Sequence, residues 1–313
     1  MELRSLGHDG PHLSVIGFGT WHIGSTPRWG VREDVQIIQT LRRATEQGIN
    51  WIDTSPVHAF GHAETLAGKA LAVIDTPVFI ANRCGLHRDP GDGSYTVSLR
   101  PEVIRAQLEK SLQRLGRDHI DLYQLHFPDP EVPVEDAWGT LVRLREQGLV
   151  RHIGLCHFNL AQIKRCMDIH PVQSIQLPYS LMHRAIQEEL LPWCRENRVG
   201  VLAASPLQDG ELAVLAAPAD ESATITMPRS QSSSALPQAM ELIDRLQPEA
   251  ERRNISIAQL SLAWILHYSE ITAAVVAART PEQLLDLTAV AENPLTAEEM
   301  VSIGEVIAET IGV

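Results

Sequence analysis

Eight short apolar runs, each followed by a segment of helical periodicity, recur along the 313 residues, and this alternation admits very few folds. The runs begin near Val15, Trp51, Phe79, Asp121, Arg151, Ser174, Val199 and Ile271. Each is almost continuously apolar, as a strand buried on both faces must be. Between them, Val35, Ile38, Leu41 and Ala44 recur at helical spacing until Gly48. Pro101 opens a helix with Ile104, Leu108, Leu112 and Leu115 on one face; its missing N–H costs nothing in the first turn. Further helices are expected at 134–147, from about Leu160, and at 186–197, 239–253 and 257–267. Thr280 to Gln283 and Thr296 to Glu299 have capping-box spacing. The pattern predicts one α/β domain over residues 1–313, a parallel (β/α)8 TIM barrel behind an N-terminal β-hairpin formed by 3–5 and 13–15. The stretches 88–99 and 208–237 read as loops, the second long enough to be a flap.

Such a barrel carries its chemistry at the C-terminal ends of its strands. Asp53 closes the second run and His58 follows five residues later; Arg83 stands near the end of the third run, and His126 directly follows the fourth. A buried Asp needs a partner, and Arg83 is the candidate for Asp53. Cys84 and Cys156 are expected as small buried apolar groups, and Trp21, Trp51 and Trp138 as packing or pocket wall.

A formal charge of −13 with no basic stripe argues against nucleic acid or an anionic membrane as partner. No apolar run reaches the ~18 residues of a membrane span. The four cysteines form no CxxC pair, as expected of reduced thiols in the cytoplasm. The expectation is a soluble cytoplasmic protein acting on a small molecule, with its oligomeric state unread.

Several stretches in order along the chain carry a family likeness: Gly17-Phe-Gly19-Thr20, Ile52-Asp53-Thr-Ser55, Phe60-Gly-His-Ala-Glu64, Ile120 to His126, Gly148 to Gly154, and Ser205-Pro-Leu207. Together with the hairpin, they resemble the aldo-keto reductases. That resemblance implies an NADP(H)-dependent oxidoreductase acting on a carbonyl or alcohol through an Asp, Tyr, Lys, His tetrad. Asp53 and His126 match it. The tyrosine position holds His58 and the lysine position Arg83, which makes the tetrad Asp-His-Arg-His. The resemblance also implies cofactor contacts at Gly19, Thr20, Ser205 and Leu207. Cys156 and His157 stand where the family has the Ser-Asn pair that holds the nicotinamide carboxamide, and Gln176 matches the third carboxamide partner. Ala204 replaces the stacking aromatic, and Val276-Ala277 replaces a Pro-Gly pair. Arg279 and Gln283 remain at the adenosine end, where Arg279 tilts the choice toward NADP.

Four chemistries are open to these residues. The first is carbonyl reduction with His58 and His126 as proton donors and Asp53 and Arg83 as electrostatic partners. Arg83 holds an oxyanion but relays no proton, and an imidazole stops roughly 2 Å short of a phenol hydroxyl, a misplacement that costs rate. The second is non-redox acid–base chemistry, a lyase, dehydratase or isomerase using His58 and His126. The third, a metal centre on Asp53, His58, His126 and His157, lacks tight ligand spacing, so no metal ligand is expected. The fourth is a non-catalytic, ligand-sensing or partner-binding descendant. Fold likeness favours the first.

Overall fold

The computed structural model describes residues 1–23, 33–214 and 235–312. Strands β1 (Leu3–Ser5) and β2 (His12–Ser14) pair antiparallel as the expected hairpin. The alternation then runs β3 (Ile16–Gly19), α1 (Asp34–Glu46), β4 (Trp51–Asp53), α2 (His62–Leu71) and β5 (Phe79–Cys84). A second small hairpin, β6 (Leu86–Arg88) and β7 (Tyr95–Val97), comes before α3 (Pro101–Leu115). Next follow β8 (Ile120–Leu125), α4 (Val134–Glu146), β9 (Val150–Cys156), α5 (Leu160–Met167), β10 (Ser174–Pro178), α6 (Leu190–Asn197) and β11 (Gly200–Ala204). The described chain closes with α7 (Glu211–Val214), α8 (Ala235–Arg253), α9 (Ile257–His267), β12 (Ile271–Val276), α10 (Pro281–Thr288) and α11 (Ala297–Ile311).

Strands β3, β4, β5, β8, β9, β10, β11 and β12 form a closed barrel in that order, each parallel to its neighbours. Successive strands are spatial neighbours because each helix carries the chain back over the barrel to the next strand. The hairpin caps the N-terminal end, where Leu6 and Leu13 join Trp51, Leu122, Leu202 and Ala273 in a buried cluster. Trp51 is locked there by its Nε1–H, which donates to the Ser14 carbonyl at 2.9 Å. Gly17 makes room for that ring: a Cβ on it would lie 2.1 Å from Trp51.

The structure departs from the sequence reading in several places. Helix α1 buries Ile37, Thr40, Leu41 and Ala44, whereas Val35 is exposed and Ile38 only partly buried. Spacing of Val35 and Ile38 fits a helix, but docking on the barrel selects the neighbouring stripe. The loop expected at 88–99 contains β7 and pairs back on β6, because the turn around Gly91 and Gly93 lets Tyr95–Val97 reach Leu86–Arg88. Helix α6 begins at Leu190, later than expected, with Pro192 in its first turn. Thr280 caps α10, but Gln283 turns its Oε1 to the N–H of Arg279, so only half of that capping box forms; Thr296 and Glu299 complete theirs. Most of the flap expected at 208–237 lies outside the described residues. No helix among the described residues is long and apolar enough to cross a membrane.

Candidate active site

The strand ends deliver their polar groups to one mouth because the register is in step there. Gly19 pairs with Asp53, Asp53 with Ala81, Arg83 with Gln124, and Cys156 with Gln176. Asp53, Arg83 and Gln176 are almost fully buried, and they meet. Arg83 Nη2 donates to Asp53 Oδ2 at 2.7 Å, and Gln176 Nε2 donates to Asp53 Oδ1 at 3.2 Å. Burial pushes the Asp53 carboxyl up, while Arg83 and Gln176 pull against that shift. The pairing of Asp53 with Arg83 expected from the sequence is therefore present.

His58 sits in a short 3-10 turn, His58–Gly61, where Ala59 and Phe60 both take the left-handed conformation. Its Nε2 lies 3.3 Å from Arg83 Nη2 and its Nδ1 lies 3.0 Å from Thr20 Oγ1. A guanidinium only donates, so Nε2 is the acceptor and Nδ1 carries the proton. Thr20 Oγ1 accepts that proton and donates its own to Thr54 Oγ1 at 2.9 Å. Burial, then the charges of Arg83 and His22, hold the ring well below the usual histidine range. His58 is thus a neutral base whose lone pair faces a cation, and this arrangement opposes the proton-donor role expected for it.

His126 follows β8 and continues the ladder through its N–H to the Cys84 carbonyl at 2.9 Å. Its ring stacks on Phe127 at 4.9 Å, and Phe127 stacks on His157 at 4.2 Å. Neither imidazole has a hydrogen-bond partner among the described residues, and His126 Nδ1 is buried without one. Burial and Arg83 depress both, His126 strongly and His157 to about 4. His157 is held at φ 62, a strained conformation for a residue with a Cβ. Cys156 lies beneath them, fully buried, its thiol pushed up to about 12 by desolvation. His126, Cys156 and His157 each bring one ligand-type atom to within 4.8 Å of the others. Of the four groups weighed for a metal in the sequence, only His126 and His157 join this cluster; Cys156 was read there as an apolar filler. Adjacency in the chain hides it, since Cys156 and His157 reach His126 only through the pairing of β8 with β9.

A second buried network stands behind Arg83. Arg114 Nη1 and Asn82 Nδ2 both donate to Glu64, at 2.8 and 2.9 Å, and Asn82 Oδ1 accepts the backbone N–H of Arg83 at 2.7 Å. The sequence offers no signal for it beyond Glu64 itself.

These groups open onto a cavity of about 1510 Å³. Asp53, His58, Arg83 and His126 line it, as do Gly19, His157, Gln176, Ser205, Leu207, Arg279 and Gln283. Thr20 and Cys156, expected as cofactor contacts, lie behind the wall; Thr20 instead anchors His58. Among the lining residues, Arg88 stacks over Phe60 at 5.1 Å and Tyr95 at 5.6 Å. On the cavity-lining residues, the buried atoms without a hydrogen-bond partner are Arg83 Nε, Arg88 Nε, His126 Nδ1, Gln176 Oε1 and Arg279 Nε. An amide donor suits Gln176 Oε1 and an anion suits Arg279 Nε, so these two fit the carboxamide and phosphate ends of a nicotinamide dinucleotide.

Residues 15–308 match the model of the Aldo/keto reductase family. The NADH-specific methylglyoxal reductase of Escherichia coli (strain K12) is 33% identical over 307 residues, covering 91% of this chain and 91% of that protein. The aldo-keto reductase YhdN of Bacillus subtilis (strain 168) is 31% identical over 99% of this chain and 95% of its own length. The structure of a glycerol dehydrogenase from Gluconobacter oxydans superposes with a TM-score of 0.86 at 30% identity, covering 99% of this chain and 96% of that one.

Proposed function

The chain belongs to the aldo/keto reductase family and is an oxidoreductase of that type; from that premise we propose that it is an NADP(H)-dependent carbonyl reductase acting on a small molecule through Asp53, His58, Arg83 and His126. The observation that carries this reading is that two of the unsatisfied buried atoms, Gln176 Oε1 and Arg279 Nε, belong to residues lining the cavity that also holds Asp53 and Arg83. The cofactor would supply hydride at the strand ends. Gln176 would hold its carboxamide end, Gly19, Ser205 and Leu207 would line its path, and Arg279 with Gln283 would receive its adenosine phosphate.

The protein groups then divide the remaining work. Arg83, held by Asp53, presents a fixed positive charge to the developing oxyanion. His126, neutral and otherwise unbonded, offers a ring N–H or lone pair at the same place. His58 keeps its proton on Nδ1 and, through Nε2, orients Arg83. In the direction of alcohol oxidation the neutral rings are the proton acceptors. One observation favours the acid–base reading as an alternative: Nε2 of His58 is a base, not an acid, where a reductase needs a proton donor.

Titrating NADPH and NADH against tryptophan fluorescence, followed by assays with small aldehydes and ketones, tests the proposal. Micromolar NADPH binding with turnover supports it. Absence of binding by either nucleotide overturns it and leaves elimination or isomerisation at His58 and His126.

A further inference from the structure

Two imidazoles and a thiol converge at the ends of β8 and β9. His126, Cys156 and His157 bring ligand-type atoms within 4.8 Å of one another, the one such group among the described residues. The donor set is borderline-soft, nitrogen and sulfur, which selects Zn2+ and its neighbours over Mg2+ or Ca2+. Zn–N and Zn–S bonds of about 2.0–2.3 Å place tetrahedral ligands roughly 3.5 Å apart, so the ligand atoms must approach one another by about 1 Å for the group to close.

Three further observations point to a ligand. Neither imidazole has a hydrogen-bond partner among the described residues, and Nδ1 of the buried His126 is unsatisfied. The stack of Phe127 on His157 at 4.2 Å engages only the ring faces and leaves the nitrogens free at the edge. His157 is held at φ 62 directly after the strand, a conformation uncommon for a residue with a Cβ and costly to maintain.

Local charge does not forbid a cation. The charge of Arg83 reaches both rings and works against a cation there; Asp53, paired with Arg83 at 2.7 Å, offsets part of it, and the Cys156 thiolate would supply the rest. His126 and His157 line the cavity and Cys156 lies beneath them, which leaves a fourth coordination position open toward the cavity.

We propose that His126, Cys156 and His157 form a divalent transition-metal site of the Zn2+ class, with three protein ligands and one position open to solvent or substrate. On binding, a metal–sulfur bond replaces the Cys156 S–H bond and the proton leaves to solvent; no electron is transferred. The open position is the pattern of a catalytic rather than a structural zinc, and a metal there would polarise an oxygen near Arg83. Neither imidazole has an outer hydrogen-bond partner to orient it. Since such partners are worth roughly 10–100-fold in affinity each, binding is expected in the micromolar rather than the nanomolar range.

Cobalt(II) titration of the purified protein reads the site directly, through a thiolate-to-cobalt charge-transfer absorption and its saturation at one ion per chain. Cys156→Ser should abolish that absorption, and His157→Asn should weaken binding at least roughly tenfold; circular dichroism of both variants checks the fold. Zinc should displace cobalt and bleach the band. No charge-transfer band in the wild-type protein overturns the proposal, as does a band that survives in folded Cys156→Ser. Should Cys156→Ser fail to fold, unchanged cobalt affinity in His157→Asn overturns it equally.

Discussion

Arg83 presents one nitrogen, Nη2, to two neighbours: Asp53 Oδ2 at 2.7 Å and, more loosely, His58 Nε2 at 3.3 Å. The contact with His58 decides a protonation state. Because the guanidinium cannot accept, the imidazole must, and His58 is a neutral base with its proton turned away toward Thr20.

Replacing His58 by Phe removes the acceptor and leaves the shape nearly unchanged. Turnover should fall roughly 10²–10⁴-fold, the range associated with a positioned acid or base, with the thermal midpoint moving by only a few degrees. Steady-state kinetics and a melting curve on one preparation measure both. Undiminished turnover would remove His58 from the mechanism.

Asp53→Ala strips Arg83 of its only anionic partner among the described residues, in a buried place. Leaving a buried charge uncompensated costs about 3–5 kcal/mol, and activity should disappear with it. Urea denaturation gives the figure. A loss under about 1 kcal/mol would mean that water or another group satisfies Arg83.

The three depressed histidines make stability depend on pH in a known sense. In the unfolded chain each ring titrates near 6.5, while in the fold burial and Arg83 push His58 and His126 well below that and His157 to about 4. Below pH 6.5 the unfolded chain takes up protons that the native rings refuse. Stability is therefore full above 6.5 and falls as the pH drops toward 4, by up to about 1.4 kcal/mol per pH unit for each ring. Denaturation at pH 7.5 and 5.5 should show the lower midpoint at 5.5, and His157→Asn should flatten part of the slope. A midpoint that rises on acidification contradicts the burial of neutral rings.

Gly17→Ala drives a methyl to 2.1 Å from the Trp51 ring, which is itself tied to Ser14. Neither strand nor ring can yield cheaply, so a loss of about 1–3 kcal/mol or more is expected. Near-ultraviolet circular dichroism would report the displaced indole.

Arg279→Leu should raise the dissociation constant for NADPH roughly tenfold or more and leave that for NADH little changed, since only the former carries the additional phosphate. Equal weakening of both would assign Arg279 to the shared pyrophosphate.

The barrel was legible in the chain because its causes are local: apolar runs of strand length, helical stripes, and prolines, glycines and caps at their ends. The same locality marked Asp53, Arg83 and His126 as strand-end residues facing one mouth. Nothing local distinguishes which ring nitrogen of His58 bears the proton, because that follows from a guanidinium 25 residues away in sequence. Nor does it show that Thr20 hydrogen-bonds His58, that Arg88 packs over Tyr95, or that α1 docks through Ile37. The gathering of His126 with Cys156 and His157 depends on the register of β8 against β9. Periodicity sets which residues reach the barrel mouth. Register and ring orientation, which arise only when the strands pair and close, decide what those residues do to one another there.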